Sequence, residues 1–400
     1  MTTAPTHVIH SARLTSGGRT TADAWVAFDG DTVSMVGTGA DWRDLGAATG
    51  DVTDAAGRRL TPGFIDIHCH GGGGAAFDDG TTPQGRADAI RTALAVHHRH
   101  GTTRVVLSLV TAGLADLESR LVAVADAAEA NPLILGAHLE GPFLDDAFRG
   151  AHDPALLRAP DADEVARLLA AGRGHLRQMT LAPELPGAAA AIRTLVDAGV
   201  AVAVGHSAAD YDTALAAFEA GASILTHAFN GMRGIHHRAP GPVAAATRSP
   251  GVTLEIINDG VHVHPEVVRL AFAGAPGRIA LITDAMAAAG AADGEYLLGS
   301  LAVTVTDGVA RLDGTGTAAG TGGGAIAGST LTLDAALRRA VTEVGLTIEE
   351  AVTALTETPA RAIGRGLDLG LLAVGYAADA VLLADDLTVD TVFAAGRRLA

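Results

Sequence analysis

The sequence predicts an α/β fold: a closed (β/α)8 barrel of the TIM type, with a small β-sandwich domain built from both chain ends. Three observations carry this. Eight apolar, strand-like segments alternate with helix-like segments through the middle of the chain. Six of those strands run into a histidine, aspartate or glutamate at or just beyond their ends. The two chain ends share a different texture, of short apolar stretches broken by turn signals. The expected organisation is therefore 1–60 and 366–400 as the two parts of the small β domain, with 61–365 as the barrel.

Composition agrees with a large folded chain. The 400 residues are 48% hydrophobic and 18% charged, which is globular and not disordered. That length suits one large barrel or two to three ordinary domains. The 50 glycines follow no Gly-X-Y period, so collagen is excluded. No apolar run approaches the ~18 residues of a membrane span. Met1 to Arg13 has neither a basic start nor an apolar core, so no secretory signal is expected.

A net charge of −17 argues against nucleic acid as a partner. Cys69 is the single cysteine, which forbids an internal disulfide and fits a reducing cytoplasm. All 28 basic residues are arginine. Without lysine there is no Schiff base, no pyridoxal-phosphate lysine, no Walker-A loop and no carbamylated lysine between metals.

At the start, Val8–Ile9, Ala24–Phe28 and Thr32–Val36 read as strands, punctuated by Ser16-Gly17-Gly18 and Asp29-Gly30-Asp31. The barrel strands expected next are Phe64–His70, Arg104–Val110, Leu133–Glu140, Gln178–Ala182, Ala201–His206, Ser223–His227, Thr253–Asn258 and Ile279–Asp284. Between them, Pro83–His100, Leu114–Ala130, Asp161–Ala171, Gly187–Ala198 and Ala208–Ala220 read as helices. An open doubly wound sheet is the rival. Gly71-Gly72-Gly73-Gly74 follows the first strand but lacks the GxGxxG spacing of a dinucleotide loop. Asp293–Leu312 reads as strands turned at Asp307-Gly308, and Gly314–Gly324 as either a flap at the barrel mouth or a plain flexible insertion. Ala380–Leu383 and Thr391–Phe393 return to the texture of the start.

The chemistry gathers at the strand ends. His68 and His70 are two apart and share one face of the first strand. Glu140 closes the third strand, His206 the fifth, His227 the sixth and Asp284 the eighth, while the seventh leads to Asp259 and His262. Any one of these alone could be a satisfied structural group. In a parallel barrel all of them meet at one mouth. Four histidines and a glutamate suit a borderline divalent ion, zinc first, with iron, manganese or cobalt as alternatives. Asp284 is left as a proton carrier. Cys69 faces away from His68 and His70 and reads as core packing. Arg149, His152, Asn230 and Arg238 lie in loops after the third and sixth strands, where an anionic ligand would need them. Taken alone, Arg238 reads more readily as a solvated surface arginine than as a ligand contact.

These residues fall in recognisable runs: Thr61-Pro62-Gly63-Phe64-Ile65-Asp66-Ile67-His68-Cys69-His70-Gly71, His138-Leu139-Glu140-Gly141-Pro142, Gly150-Ala151-His152, Gly205-His206-Ser207, Thr226-His227-Ala228-Phe229-Asn230-Gly231-Met232, Asp259-Gly260-Val261-His262 and Thr283-Asp284-Ala285. Over nearly the whole chain the sequence resembles the N-acetylglucosamine-6-phosphate deacetylases of the amidohydrolase superfamily. The resemblance implies a cytoplasmic homodimer that hydrolyses the N-acetyl group of an amino-sugar phosphate. It implies a principal metal on Glu140, His206 and His227, and a second metal with His68 and His70, Glu140 bridging. It implies Asp284 as general base and acid and His152 at the scissile carbonyl. Ala151, Asn230, Gly231, Ile326, Ala327 and Gly328 would line the sugar site. Arg238 and His262 would bind the 6-phosphate, with Arg238 reaching the neighbouring subunit. Asn230-Gly231 departs from the commoner Asn-Ala, and the Gly-rich stretch before Ile326 is longer than usual. The alternatives are a galactosamine epimer or an N-acyl amino acid as substrate, or a metal-dependent sugar-phosphate sensor without catalysis.

Overall fold

The computed structural model describes residues 4–46, 51–313 and 324–399. Eight strands follow the expected segments: β1 (Phe64–Cys69), β2 (Thr102–Val110), β3 (Ile134–Glu140), β4 (Leu176–Leu181), β5 (Ala201–Val204), β6 (Ile224–Leu225), β7 (Thr253–Ile257) and β8 (Ile279–Ile282). They pair in chain order, each parallel to the next. The ring closes where the Asp284 amide donates to the His68 carbonyl at 2.8 Å and the His70 amide to the Ala285 carbonyl at 2.7 Å. The open-sheet rival is thereby excluded.

Helices α1 (Pro83–Arg99), α2 (Leu114–Ala130), α3 (Ala162–Gly172), α4 (Ala188–Asp197), α5 (Tyr211–Glu219), α6 (Gly241–Arg248), α7 (Pro265–Gly274) and α8 (Leu333–Thr342) surround the barrel. Their starts are written locally. The Thr82 hydroxyl accepts from the Gly85 amide ahead of Pro83, and the Asp161 and Asp210 carboxylates cap α3 and α5. Outward-facing Leu107, Leu109, Leu139, Met179, Val202, Val204, Leu254 and Ile256 form one core with the helices. The inward face carries a polar layer instead. The His138 ring bonds Ser108 at 2.9 Å and Thr180 at 2.8 Å, Thr180 bonds Thr226 at 2.9 Å, and Gln178 bonds Glu255 at 2.7 Å.

Three strands stop two residues earlier than the apolar pattern suggests. β5, β6 and β8 end before His206, His227 and Asp284. The reason is backbone geometry: these residues have φ of +48°, +25° and +49°, which cannot continue a strand. Non-glycine residues held there are strained and cluster at functional sites.

Strands from both chain ends build one eight-stranded sheet. Arg59–Pro62 pairs antiparallel with Ala380–Leu383, which stitches the ends together. Its core includes Ile9, Leu14, Val26, Phe28, Leu60, Leu382 and Phe393. A buried ion pair ties this sheet to the barrel, with Arg104 Nε 2.5 Å and Nη2 3.1 Å from the Asp379 carboxylate. After β8, Gly294–Leu298, Leu301–Thr306 and Val309–Leu312 form the expected antiparallel insert. Of the Gly314–Gly324 stretch, residues 314–323 lie outside the described residues. No helix among the described residues is long and apolar enough to cross a membrane.

Candidate metal centre

The strand ends meet around one carboxylate. Glu140 Oε1 lies 3.1 Å from His206 Nε2, 3.2 Å from His227 Nε2 and 3.4 Å from His68 Nε2. Its Oε2 lies 3.2 Å from His70 Nε2 and 3.4 Å from His152 Nε2. Asp284 Oδ1 stands 3.3 Å from His70 Nε2 and 3.5 Å from His68 Nε2. All of these side chains are buried. The structure thus brings together His68, His70, Glu140, His152, His206, His227 and Asp284.

Each position has a local cause. The Asp66 carboxylate accepts the Thr283 hydroxyl at 2.6 Å and so ties β1 to the end of β8 beside Asp284. Gly150 has φ of +56°, and a Cβ there would stand 3.2 Å from His206 Cε1. The loop after β3 can therefore close over that ring only with glycine.

The donor set fits a divalent cation. His206 Nδ1 bonds the Phe148 carbonyl at 2.9 Å and His227 Nδ1 the Asn230 carbonyl at 3.2 Å. A carbonyl can only accept, so each Nδ1 carries the proton and each Nε2 presents a lone pair. His68 Nδ1 likewise faces the Glu255 carboxylate at 3.1 Å. The bare Nε2 atoms then stand 3.0 Å apart between His206 and His227, and Glu140 adds negative charge between them. Such a cluster of Lewis bases is reconciled by a positive ion. His68, His70, Glu140 and Asp284 place four ligand atoms within 4.8 Å of one another, and Glu140, His152 and His206 place three.

Electrostatics follow from burial and charge. Burial pushes the Glu140 carboxyl up, but His68 and the bonds from His152, His206 and His227 outweigh it and hold it well below the usual range. Burial likewise raises Asp284, and His68 and His70 reverse the direction. Burial pushes His152 down to about 4, so it is neutral at pH 7. Cys69 lies on the opposite face from the pair, within the core, with its thiol pushed well up by burial. Its Sγ lies 3.3 Å from His97 Nε2, which also bonds the Gly71 carbonyl at 2.8 Å, while Asp66 accepts from Thr283.

A cavity of about 420 Å³ opens on the centre. Of the expected sugar-site residues, Ala151, Asn230, Gly231, His262, Ile326 and Gly328 line it. His262 is held by Asp259, Nδ1 to Oδ2 at 2.6 Å. Ala327 is fully buried behind the lining. Arg238 is not in the lining; it is exposed on the loop after β6 and bonds His237. Three contributors were not singled out from the sequence. Arg311, from the insert, lines the cavity. Thr111 bonds His152 Nδ1 at 2.9 Å. Glu255 sits inside β7, where an acid within Thr253-Leu254-Glu255-Ile256-Ile257 was the available signal.

Comparison with known proteins agrees with this geometry. Residues 59–399 match the amidohydrolase family. The chain is 39% identical to the N-acetylgalactosamine-6-phosphate deacetylase of Escherichia coli O157:H7, over 86% of this chain and 89% of that protein. It is 35% identical to the N-acetylglucosamine-6-phosphate deacetylase of Vibrio furnissii, over 98% and 94%. Among solved structures, a mutant N-acetyl-D-glucosamine-6-phosphate deacetylase from Mycobacterium smegmatis, in complex with N-acetyl-D-glucosamine-6-phosphate, is 43% identical with a TM-score of 0.88, covering 98% of both chains. A barrel whose strand ends converge on a histidine–carboxylate cluster, and these matches along almost its whole length, place the chain in the amidohydrolase family.

Proposed function

We propose that this protein hydrolyses the N-acetyl group of N-acetylglucosamine 6-phosphate to acetate and glucosamine 6-phosphate, in amino-sugar catabolism or recycling. The observation that carries it is Asp284: a carboxylate in the cavity wall, 3.3 Å from His70 Nε2. Its place beside the ligand cluster gives the centre a proton carrier that a mere sugar-phosphate sensor has no need of. The ligands would be Glu140, His206 and His227 for one ion and His68 and His70 for a second, with Glu140 between them. Zinc suits this nitrogen-rich set best. When bound, the metal supplies Lewis acidity, making water acidic near neutral pH and polarising the amide carbonyl.

The chain's own residues do the rest. Asp284 takes the proton of the attacking water and returns it to the departing amine nitrogen. The Thr111 hydroxyl has one proton and two acceptors, His152 Nδ1 at 2.9 Å and the Glu140 carbonyl at 3.2 Å. Given to the nearer His152, it leaves Nε2–H as a donor for the carbonyl oxygen, where negative charge develops. Ala151, Asn230, Gly231, Ile326 and Gly328 shape the sugar site, and Ala327 backs it. His262 binds the 6-phosphate, joined by Arg238 from a neighbouring subunit of a homodimer. That origin accounts for an arginine that does not line its own chain's cavity. One cysteine and no lengthy apolar helix among the described residues suit a cytoplasmic enzyme.

A second substrate has support: the relative at 39% identity is named for the galactosamine epimer. Acetate release should be measured on both 6-phosphates, on free N-acetylglucosamine and on an N-acetyl amino acid, each with and without chelator. Fastest release from the glucosamine phosphate, abolished by chelator, is expected. Preference for the galactosamine phosphate would reassign the substrate, and no release from any would point to the sensor.

A further inference from the structure

We propose that Glu255, which stands outside the ligand set, is the positioning residue that enables the β1 histidine pair to hold a metal ion; this rests on the reading of the centre as a metal site. Glu255 is fully buried in the middle of β7. A carboxylate there is costly unless donors surround it. Its donors are informative. Oε2 lies 3.1 Å from His68 Nδ1 and accepts the His227 backbone amide at 3.3 Å, while Oε1 accepts Gln178 Nε2 at 2.7 Å. Two of the three bonds therefore go to residues of the centre, one in each half.

The chemistry of those bonds is directional. An ionised carboxylate only accepts, so the His68 proton belongs on Nδ1 and Nε2 is left bare. That Nε2 is the atom turned toward His70 at 3.2 Å and Glu140 at 3.4 Å. The edge of one ring on the other between His68 and His138, at 4.6 Å and 80°, packs the ring and supplies no competing acceptor for Nδ1. His70 has no such anchor: its Nδ1 is buried without a partner. The pair is thus oriented through His68 alone. The bond to the His227 amide holds the same carboxylate to the left-handed turn that swings His227 over the mouth.

The test uses the whole protein, metal-free, titrated with zinc against a chromophoric chelator. Wild type should take up two ions. Glu255→Met keeps the bulk and removes the acceptor. It should weaken one of the two ions by about 10–100-fold, the range for losing an outer partner of a metal-bound histidine. The cobalt-loaded absorption spectrum should change with it. A merely structural Glu255 would lower the unfolding midpoint of metal-free protein and leave both affinities at wild-type values, and that result would overturn the proposal. Wild type that binds no zinc would overturn the metal reading itself. A measurement on zinc-loaded wild type needs no variant to fold. Nitrogen-15 spectra of labelled histidine should show His68 protonated at Nδ1 and metal-bound at Nε2, and metal at Nδ1 would refute the role.

Discussion

Asp284 Oδ1 stands 3.3 Å from His70 Nε2, so the end of the last barrel strand delivers its carboxylate onto the histidine pair of the first. The backbone bond from the Asp284 amide to the His68 carbonyl fixes that meeting. Asp284→Asn keeps the shape and removes the proton acceptor. It should retain the metal and lower kcat by ~10²–10⁴, the range for a positioned general acid–base. Steady-state kinetics alongside metal analysis checks this; wild-type turnover in the loaded variant would end the assignment.

The proposed ligands fall into His68 with His70 and His206 with His227, and Glu140 lies within 3.4 Å of both pairs. Replacing His68 and His70 by alanine should reduce the metal content from two ions toward one. Elemental analysis of metal-replete protein decides it. A single tight ion in wild type would refute the two-metal reading while leaving the reaction intact.

Arg238 is exposed and, among the described residues, bonds within its own loop, through His236 and His237. Its expected work is on a neighbour's phosphate. One charged hydrogen bond is worth roughly 1.5–3 kcal/mol, so Arg238→Ala should lose about 10- to 150-fold in kcat/KM on the phosphorylated sugar. Free N-acetylglucosamine should be almost unaffected. Mixing Arg238→Ala with Asp284→Asn should partly restore activity through mixed dimers, in which the Asp284→Asn subunit lends its arginine to the intact Asp284 site of its partner. An equal loss on both sugars would mean that Arg238 supports its loop.

His97 is buried beneath the centre with its imidazole pushed down to about 4 by burial. The unfolded chain takes up this proton below pH 6.5, and the folded chain does so only near pH 4. Above pH 6.5 the group therefore leaves stability unchanged, and between those values it favours unfolding as pH falls. The loss should reach about 2 kcal/mol by pH 5, at 1.36 kcal/mol per unit. Denaturant midpoints of chelated protein at pH 7 and pH 5 should show a smaller fall in His97→Gln than in wild type. Parallel falls would remove His97 as a source of acid sensitivity.

Asp379 ties the terminal sheet to the barrel through buried Arg104, and it also accepts the Ala395 amide at 2.7 Å. Asp379→Ala should cost about 3–5 kcal/mol, because Arg104 would be left buried and unpaired. The paired change Arg104→Met with Asp379→Leu should cost much less. Denaturant unfolding of the two variants separates the outcomes.

Much of the centre was legible because barrel topology is written in the chain. Alternating strands and helices demand a parallel sheet, and a parallel barrel brings every strand end to one mouth. His68, His70, Glu140, His206, His227 and Asp284 could thus be expected at one place without coordinates, and the structure brings them together. What the sequence by itself determined is that these residues meet at one mouth, the absence of lysine chemistry, and the helix beginning at Asp161–Ala162. Only the tertiary structure decided the rest, since it depends on contacts between distant segments. The left-handed turns that end β5, β6 and β8 arise from ring closure and loop packing, not from local residue preference. Glu255 reads as an odd acid in an apolar strand until His68 is placed against it, 187 residues away. Arg311 enters the cavity because the insert after β8 folds back as a sheet, and its sequence carries no mark of that direction.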